Sequence, residues 1–82
     1  MSEHYRLDPA RTVIERFSTP TQTGVHVISE LTGLDRTTIY KWMWPRSRNG
    51  TNGFVPDRHG PTLRREAEKR QIDLPDKICV GE

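Results

Sequence analysis

An all-α fold of about five short helices arranged around a helix-turn-helix is what this sequence predicts, from three observations. Val25, Ile28 and Leu31 recur at helical spacing on one side of Gly33, and Ile39, Trp42 and Met43 do so on the other, so two apolar stripes must meet at a corner. The corner carries its own chemistry. Gly33 can take the left-handed conformation that ends a helix, Leu34 can drop into the angle, and Asp35 can cap the next helix. Finally, Asp8-Pro9 and Gly60-Pro61 each mark where a further helix can begin.

In chain order, residues 1–7 lack periodicity and read as a mobile arm. A helix from Asp8-Pro9 to about Phe17 puts Val13, Ile14 and Phe17 on one face, with Arg11, Glu15 and Arg16 turned mainly to water. The connector Ser18 to Gly24 is polar and broken by Pro20 and Gly24. Its Gln22 and Thr23 can cap the next helix or offer a hydroxyl and amides to a phosphate, because a helix N-terminus carries positive partial charge. The first motif helix covers about Val25 to Thr32, where a small Ser29 lets the partner helix approach. The second runs from about Arg36 to Trp44 and is stopped by Pro45. Its Arg36, Thr37, Thr38, Tyr40 and Lys41 lie off the apolar stripe, which is the layout of a helix that reads the major groove.

Arg46 to Gly53 follows as a basic loop with two Asn-Gly turn signals. It is compatible with a small β-hairpin or wing at 45–55, with a phosphate clamp through Arg46 and Arg48, and with disorder in the absence of DNA. Phe54 and Val55 return to the core, a turn occupies 56–60, and the last long helix runs from about Pro61 to Gln71 with Leu63 and Ala67 inward. Ile72, Leu74 and Ile78 form a closing strap or short strand that could equally meet a second copy. The whole, residues 1–82, is one domain, with 79–82 expected to be mobile like the N-terminal arm.

Charge is distributed unevenly. Between Arg36 and Arg65 there are seven basic residues against the single acid Asp57, whereas residues 1–35 and 66–82 are each net −2 and the whole chain is +2. The positive charge thus coincides with the second motif helix and the segment just beyond it, the electrostatic footprint of a nucleic-acid binder. Only 32% of residues are apolar, so the core is small and a homodimer would add stability. No apolar run reaches membrane-spanning length, the N-terminus lacks a secretory signal, and the lone Cys79 fits a reducing compartment; the expectation is a cytoplasmic, nucleoid-associated protein. His4, His26 and His59 have no neighbours at metal-ligand spacing, and no nucleophile-base pair or phosphate-binding loop is present, so neither a metal, a cofactor, a small-molecule ligand nor an enzymatic activity is expected.

Val13-Ile14-Glu15-Arg16-Phe17, Gly33-Leu34, Thr38-Ile39-Tyr40-Lys41-Trp42, Gly53-Phe54-Val55-Pro56-Asp57-Arg58-His59 and Ile72-Asp73-Leu74 together resemble the small Cro-like helix-turn-helix regulators of phages and prophages, including the YdaS-like group. The resemblance spans Val13 to Leu74 and implies a lambda-repressor/Cro-like domain that binds an operator in double-stranded DNA, commonly as a homodimer, and regulates transcription, here as a repressor. Positions matching Arg36, Thr37, Tyr40 and Lys41 would touch bases or phosphates. Thr32 departs from the pattern, standing where that family usually has an apolar residue, and the connector at 45–53 is long. Two other readings share the motif: an excisionase or AlpA-like accessory DNA protein using the basic loop as a wing, and a scaffold reused for protein-protein interaction.

Overall fold

Helix α1, Pro9–Phe17, opens on a proline whose missing amide has no helical partner to lose, and it buries Ala10, Val13 and Phe17 along one stripe. The computed structural model describes residues 9–81, so the arm at 1–7, the Asp8 cap and Glu82 lie outside the described residues. The next amide, on Ala10, donates to the carbonyl of Gly53 at 2.8 Å, tying the start of α1 to the far loop.

Helix α2, Gly24–Thr32, is capped by Thr23, whose hydroxyl accepts from the His26 amide at 3.2 Å. Gly24 is required by a close approach: a Cβ there would sit 1.7 Å from the carbonyl oxygen of Ile14, so the backbones of α1 and α2 touch only because it is absent. The helix ends at Gly33 with φ 76°, a conformation that a Cβ would strain. Three side-chain bonds then hold the corner. Ser29 donates to the Leu34 carbonyl at 2.6 Å, and the Thr32 hydroxyl donates to the Ile28 carbonyl at 2.8 Å while accepting the Leu34 amide at 3.3 Å. An apolar residue at position 32 would leave that amide without this partner.

Helix α3, Arg36–Tyr40, starts from Asp35, whose carboxylate accepts the Thr37 amide at 3.1 Å. The α-helix expected to reach Trp44 is shorter. It tightens into a 3₁₀ turn over Lys41–Met43 and ends with Trp44 extended at φ −85°, ψ 152°, the region to which a following proline confines a residue.

The expectation of a hairpin or wing at 45–55 is corrected, since no strand occurs among the described residues. Pro45 leads into a 3₁₀ turn at Arg46–Arg48, and Asn49 and Asn52 adopt left-handed conformations at φ 65° and 61°. Backbone donors then fold the loop back on the preceding helix. Thr51, Gly53 and Asn52 amides donate to the carbonyls of Lys41, Trp42 and Trp44 at 3.2, 2.8 and 2.8 Å, and the Thr51 hydroxyl bonds the carbonyls of Trp42 and Phe54. The carbonyls that a helix end leaves unpaired are thus satisfied by the loop.

A 3₁₀ turn at Asp57–His59 leads into α4, Gly60–Lys69, which buries Leu63 and Ala67 and ends about two residues short of the expected Gln71. Four α-helices are therefore present among the described residues, not five. The strap closes on its own domain. Val55 donates to the Ile78 carbonyl at 2.7 Å, Arg64 to the carbonyls of Pro75 and Asp76, and Arg16 to that of Asp73, and both Ile78 and Cys79 are buried. Beyond the strap, Gly81 donates to the Asp57 carboxylate at 3.2 Å. Trp42, Phe17, Ile28, Ile39, Leu63, Ile78, Val13 and Val55 form the fully buried centre, with Leu31 and Leu34 half-buried at its edge.

Candidate nucleic-acid interface

The segment from Arg36 to Met43 is divided lengthwise. Ile39 and Trp42 point into the core, while Arg36, Thr37, Thr38 and Tyr40 are exposed and Lys41 is half-buried. The pairs 36/40 and 37/41 are each one helical turn apart, so these four side chains share one outward face. Tyr40 keeps 46% of its surface exposed. The geometry of the face is fixed from below by the Asp35 cap, the three bonds of the corner and the burial of Trp42.

Trp42 is itself held on two sides. Its ring lies 6.1 Å from that of His59 at an interplanar angle of 28°, and its carbonyl receives both Gly53 and Thr51. His59 is kept below the usual histidine range by burial, with the positive charge of Arg58 adding to the effect. A neutral imidazole packed on indole is a structural role; among the described residues no group of three or more His, Cys, Asp or Glu side chains is placed to hold a metal ion.

The loop adds Arg46 and Arg48, both exposed and presented by a 3₁₀ turn, and the loop residues that follow, Thr51 and Gly53, are hydrogen-bonded to the end of segment 36–43. Arg48 lies over the ring of Trp44, 5.7 Å from its centroid. From Arg36 to Pro56 there is no acidic residue, and among the described residues no carboxylate pairs with Arg36, Lys41, Arg46 or Arg48. Of the basic residues farther on, Arg64 is engaged with the strap carbonyls and belongs to the fold. Gln22 and Thr23 stand apart from this stripe. They close the Thr19–Gln22 turn and cap α2, and both remain exposed at its N-terminus, where the Thr23 hydroxyl still has its proton to donate.

Sequence reasoning placed Ser29 at the corner by its size but missed the hydroxyl bonds through which Ser29 and Thr32 build it. Trp44, for which the sequence leaves open a place at the core's edge or near sugar-phosphate, with packing favoured, leaves 37% of its surface exposed beside Arg48. A signal for this exposure was present: a tryptophan between a helix end and a proline, followed by two arginines, is placed where a core cannot easily reach it. No helix among the described residues is long and apolar enough to cross a membrane. Comparison of the chain with family models, curated proteins and solved structures gave no match, and the functional reading therefore rests on this geometry.

Proposed function

We propose that the chain is a sequence-specific double-stranded DNA-binding transcriptional regulator of the Cro-like type, acting as a repressor, in which α2, the Gly33 corner and α3 form the helix-turn-helix. One observation carries the reading. Along the segment 36–43 the inward residues are buried in the core, while the outward residues are a row of polar, basic and aromatic groups whose cations have no carboxylate partner among the described residues. Unneutralised cations beside a fixed helix face suit an anionic polymer whose base edges carry hydrogen-bond donors and acceptors. Arg36, Thr37, Thr38, Tyr40 and Lys41 would face the bases, and Arg46, Arg48, Gln22 and Thr23 the phosphates. The reading includes a homodimer on a palindromic operator in the cytoplasm, because one short helix contacts too few base pairs for useful specificity. The accessory-protein alternative loses its main support with the missing hairpin.

The test is selection of duplexes from a random pool by the purified chain, followed by sequencing and light scattering of the complex. A palindromic consensus bound by two copies is the expected result. Absence of any duplex binding at low salt would refute the reading and favour a protein-interaction module; a monomer both free and on the selected site would refute the dimer.

A further inference from the structure

The aromatic side chain of Trp44 has no function in the reading above, and its position is strongly determined. Its amide donates to the Lys41 carbonyl at 3.0 Å and its carbonyl accepts the Asn52 amide at 2.8 Å, so the backbone is fixed at both ends. The loop wraps it so closely that a Cβ on Gly50 would lie 2.1 Å from its carbonyl oxygen and 2.5 Å from its own Cβ. A chain with only 32% apolar residues nevertheless leaves this large residue over a third exposed, with the guanidinium of Arg48 over its ring. An indole with a stacked cation is a two-part surface, one part apolar and flat, the other positive.

We propose that Trp44 and Arg48 together form a preassembled site for one sugar-phosphate unit of the duplex backbone, next to the base pairs read by α3. The deoxyribose face packs on the exposed indole and the adjoining phosphate takes the guanidinium, which the ring already holds in place. This inference rests on the duplex-binding reading and deepens it by assigning a contact at the C-terminal end of the reading segment. A base flipped onto the ring is the competing use of the same chemistry, and it would require an open strand. The duplex is favoured because Trp44 is held at the end of the segment whose outward face carries Tyr40 and Lys41, beside a loop that presents Arg46 as a second cation.

The chain has two tryptophans, so protein labelled with fluorotryptophan gives two fluorine resonances, and Trp44→Phe assigns them. On titration with a selected duplex the Trp44 resonance is expected to move and that of buried Trp42 to stay. Trp44→Ala should weaken duplex binding about tenfold while lowering the salt slope by less than Arg48→Ala does, since the indole releases no counterion itself and touches the phosphate contact only by holding the guanidinium. Arg48→Ala should lower the salt slope by about one unit. The double variant should lose less than the two losses combined, because each group supports the other. If the wild-type chain binds no duplex, the functional reading and this site fall together. If it binds the duplex while the Trp44 resonance is unmoved and Trp44→Ala stays within about twofold, this site alone falls. A larger loss on a single-stranded oligonucleotide than on the duplex also overturns it, in favour of base stacking. The resonance is read on unsubstituted protein, so a poorly folding variant does not remove the test.

Discussion

Replacing Trp42 by alanine tests the fold and the site at once. The side chain is 2% exposed, stacks on His59, and sits on the residue whose carbonyl anchors the loop through Gly53 and Thr51. Truncating a buried tryptophan costs about 3–5 kcal/mol in lost transfer free energy and residual cavity. A chain of this length has a total stability of roughly 4–12 kcal/mol, so the variant should keep between none and about three quarters of it. In a domain this small each kcal/mol moves the thermal midpoint by about 4–8 °C, and a fall of at least ~12 °C is expected. Trp44→Ala is the matched control: same residue type, two positions on, but largely outside the core, with an expected loss of about 1 kcal/mol or less. Urea and thermal unfolding followed by far-UV circular dichroism measure both. A midpoint unchanged in Trp42→Ala, or equal losses in the two variants, would show that the buried stripe of segment 36–43 has been assigned to the wrong side.

Three further outcomes are expected. Thr37→Ala or Lys41→Ala should cost about 1–3 kcal/mol on the selected duplex and much less on scrambled DNA, whereas Arg46→Ala should weaken both alike; isotherms at several salt concentrations decide, and a selective loss from Arg46→Ala would reverse the assignment of reader and clamp. Gly24→Ala gains up to about 1 kcal/mol of helix propensity but drives a Cβ to 1.7 Å from the Ile14 carbonyl oxygen, so overpacking of about 3 kcal/mol should win; an unchanged or raised unfolding midpoint would refute the α1–α2 contact. Because His59 is held below its ordinary value, the native state binds its proton less readily than the unfolded chain does, and stability should fall as pH drops below about 6.5, while above that value this contribution is fully present. His59→Phe should make that decline shallower in unfolding curves between about pH 7.5 and 5.5, bracketing the ordinary histidine value. An identical pH dependence in the variant would show that His59 is not the cause.

The parts of the fold that were legible in the sequence are those set by local chemistry. Gly33, Asp35 and the two apolar stripes announce the corner because left-handed φ, amide capping and helical periodicity each depend on a few adjacent residues. What remained hidden depends on partners distant in sequence. Asn49 and Asn52 signalled turns correctly, yet the turn signals could not say that the loop would return to the carbonyls of Lys41 and Trp42 instead of pairing as a hairpin. Cys79 was unreadable for the same reason, since its burial is decided by Gly60, where a Cβ would come within 2.7 Å of its Sγ, and by Arg64 reaching the strap. At the candidate site the outward face of α3 followed from periodicity, whereas the exposure of Trp44 followed from Pro45 and Gly50 acting together.

The return of the loop onto the end of segment 36–43 has a thermodynamic consequence for the proposed association. Ordering a free backbone costs about 1–2 kcal/mol per residue, a penalty that a loop disordered before binding must meet at the moment it touches its ligand. Residues 45–53 meet it during folding, because the amides of Gly50, Thr51, Asn52 and Gly53 are already engaged with carbonyls of residues 41–45. The arginines of this loop therefore approach an anionic surface with only side-chain freedom left to lose. The heat-capacity change of binding should accordingly reflect the surface buried at the interface, without the large additional term that coupled folding of a nine-residue segment would bring.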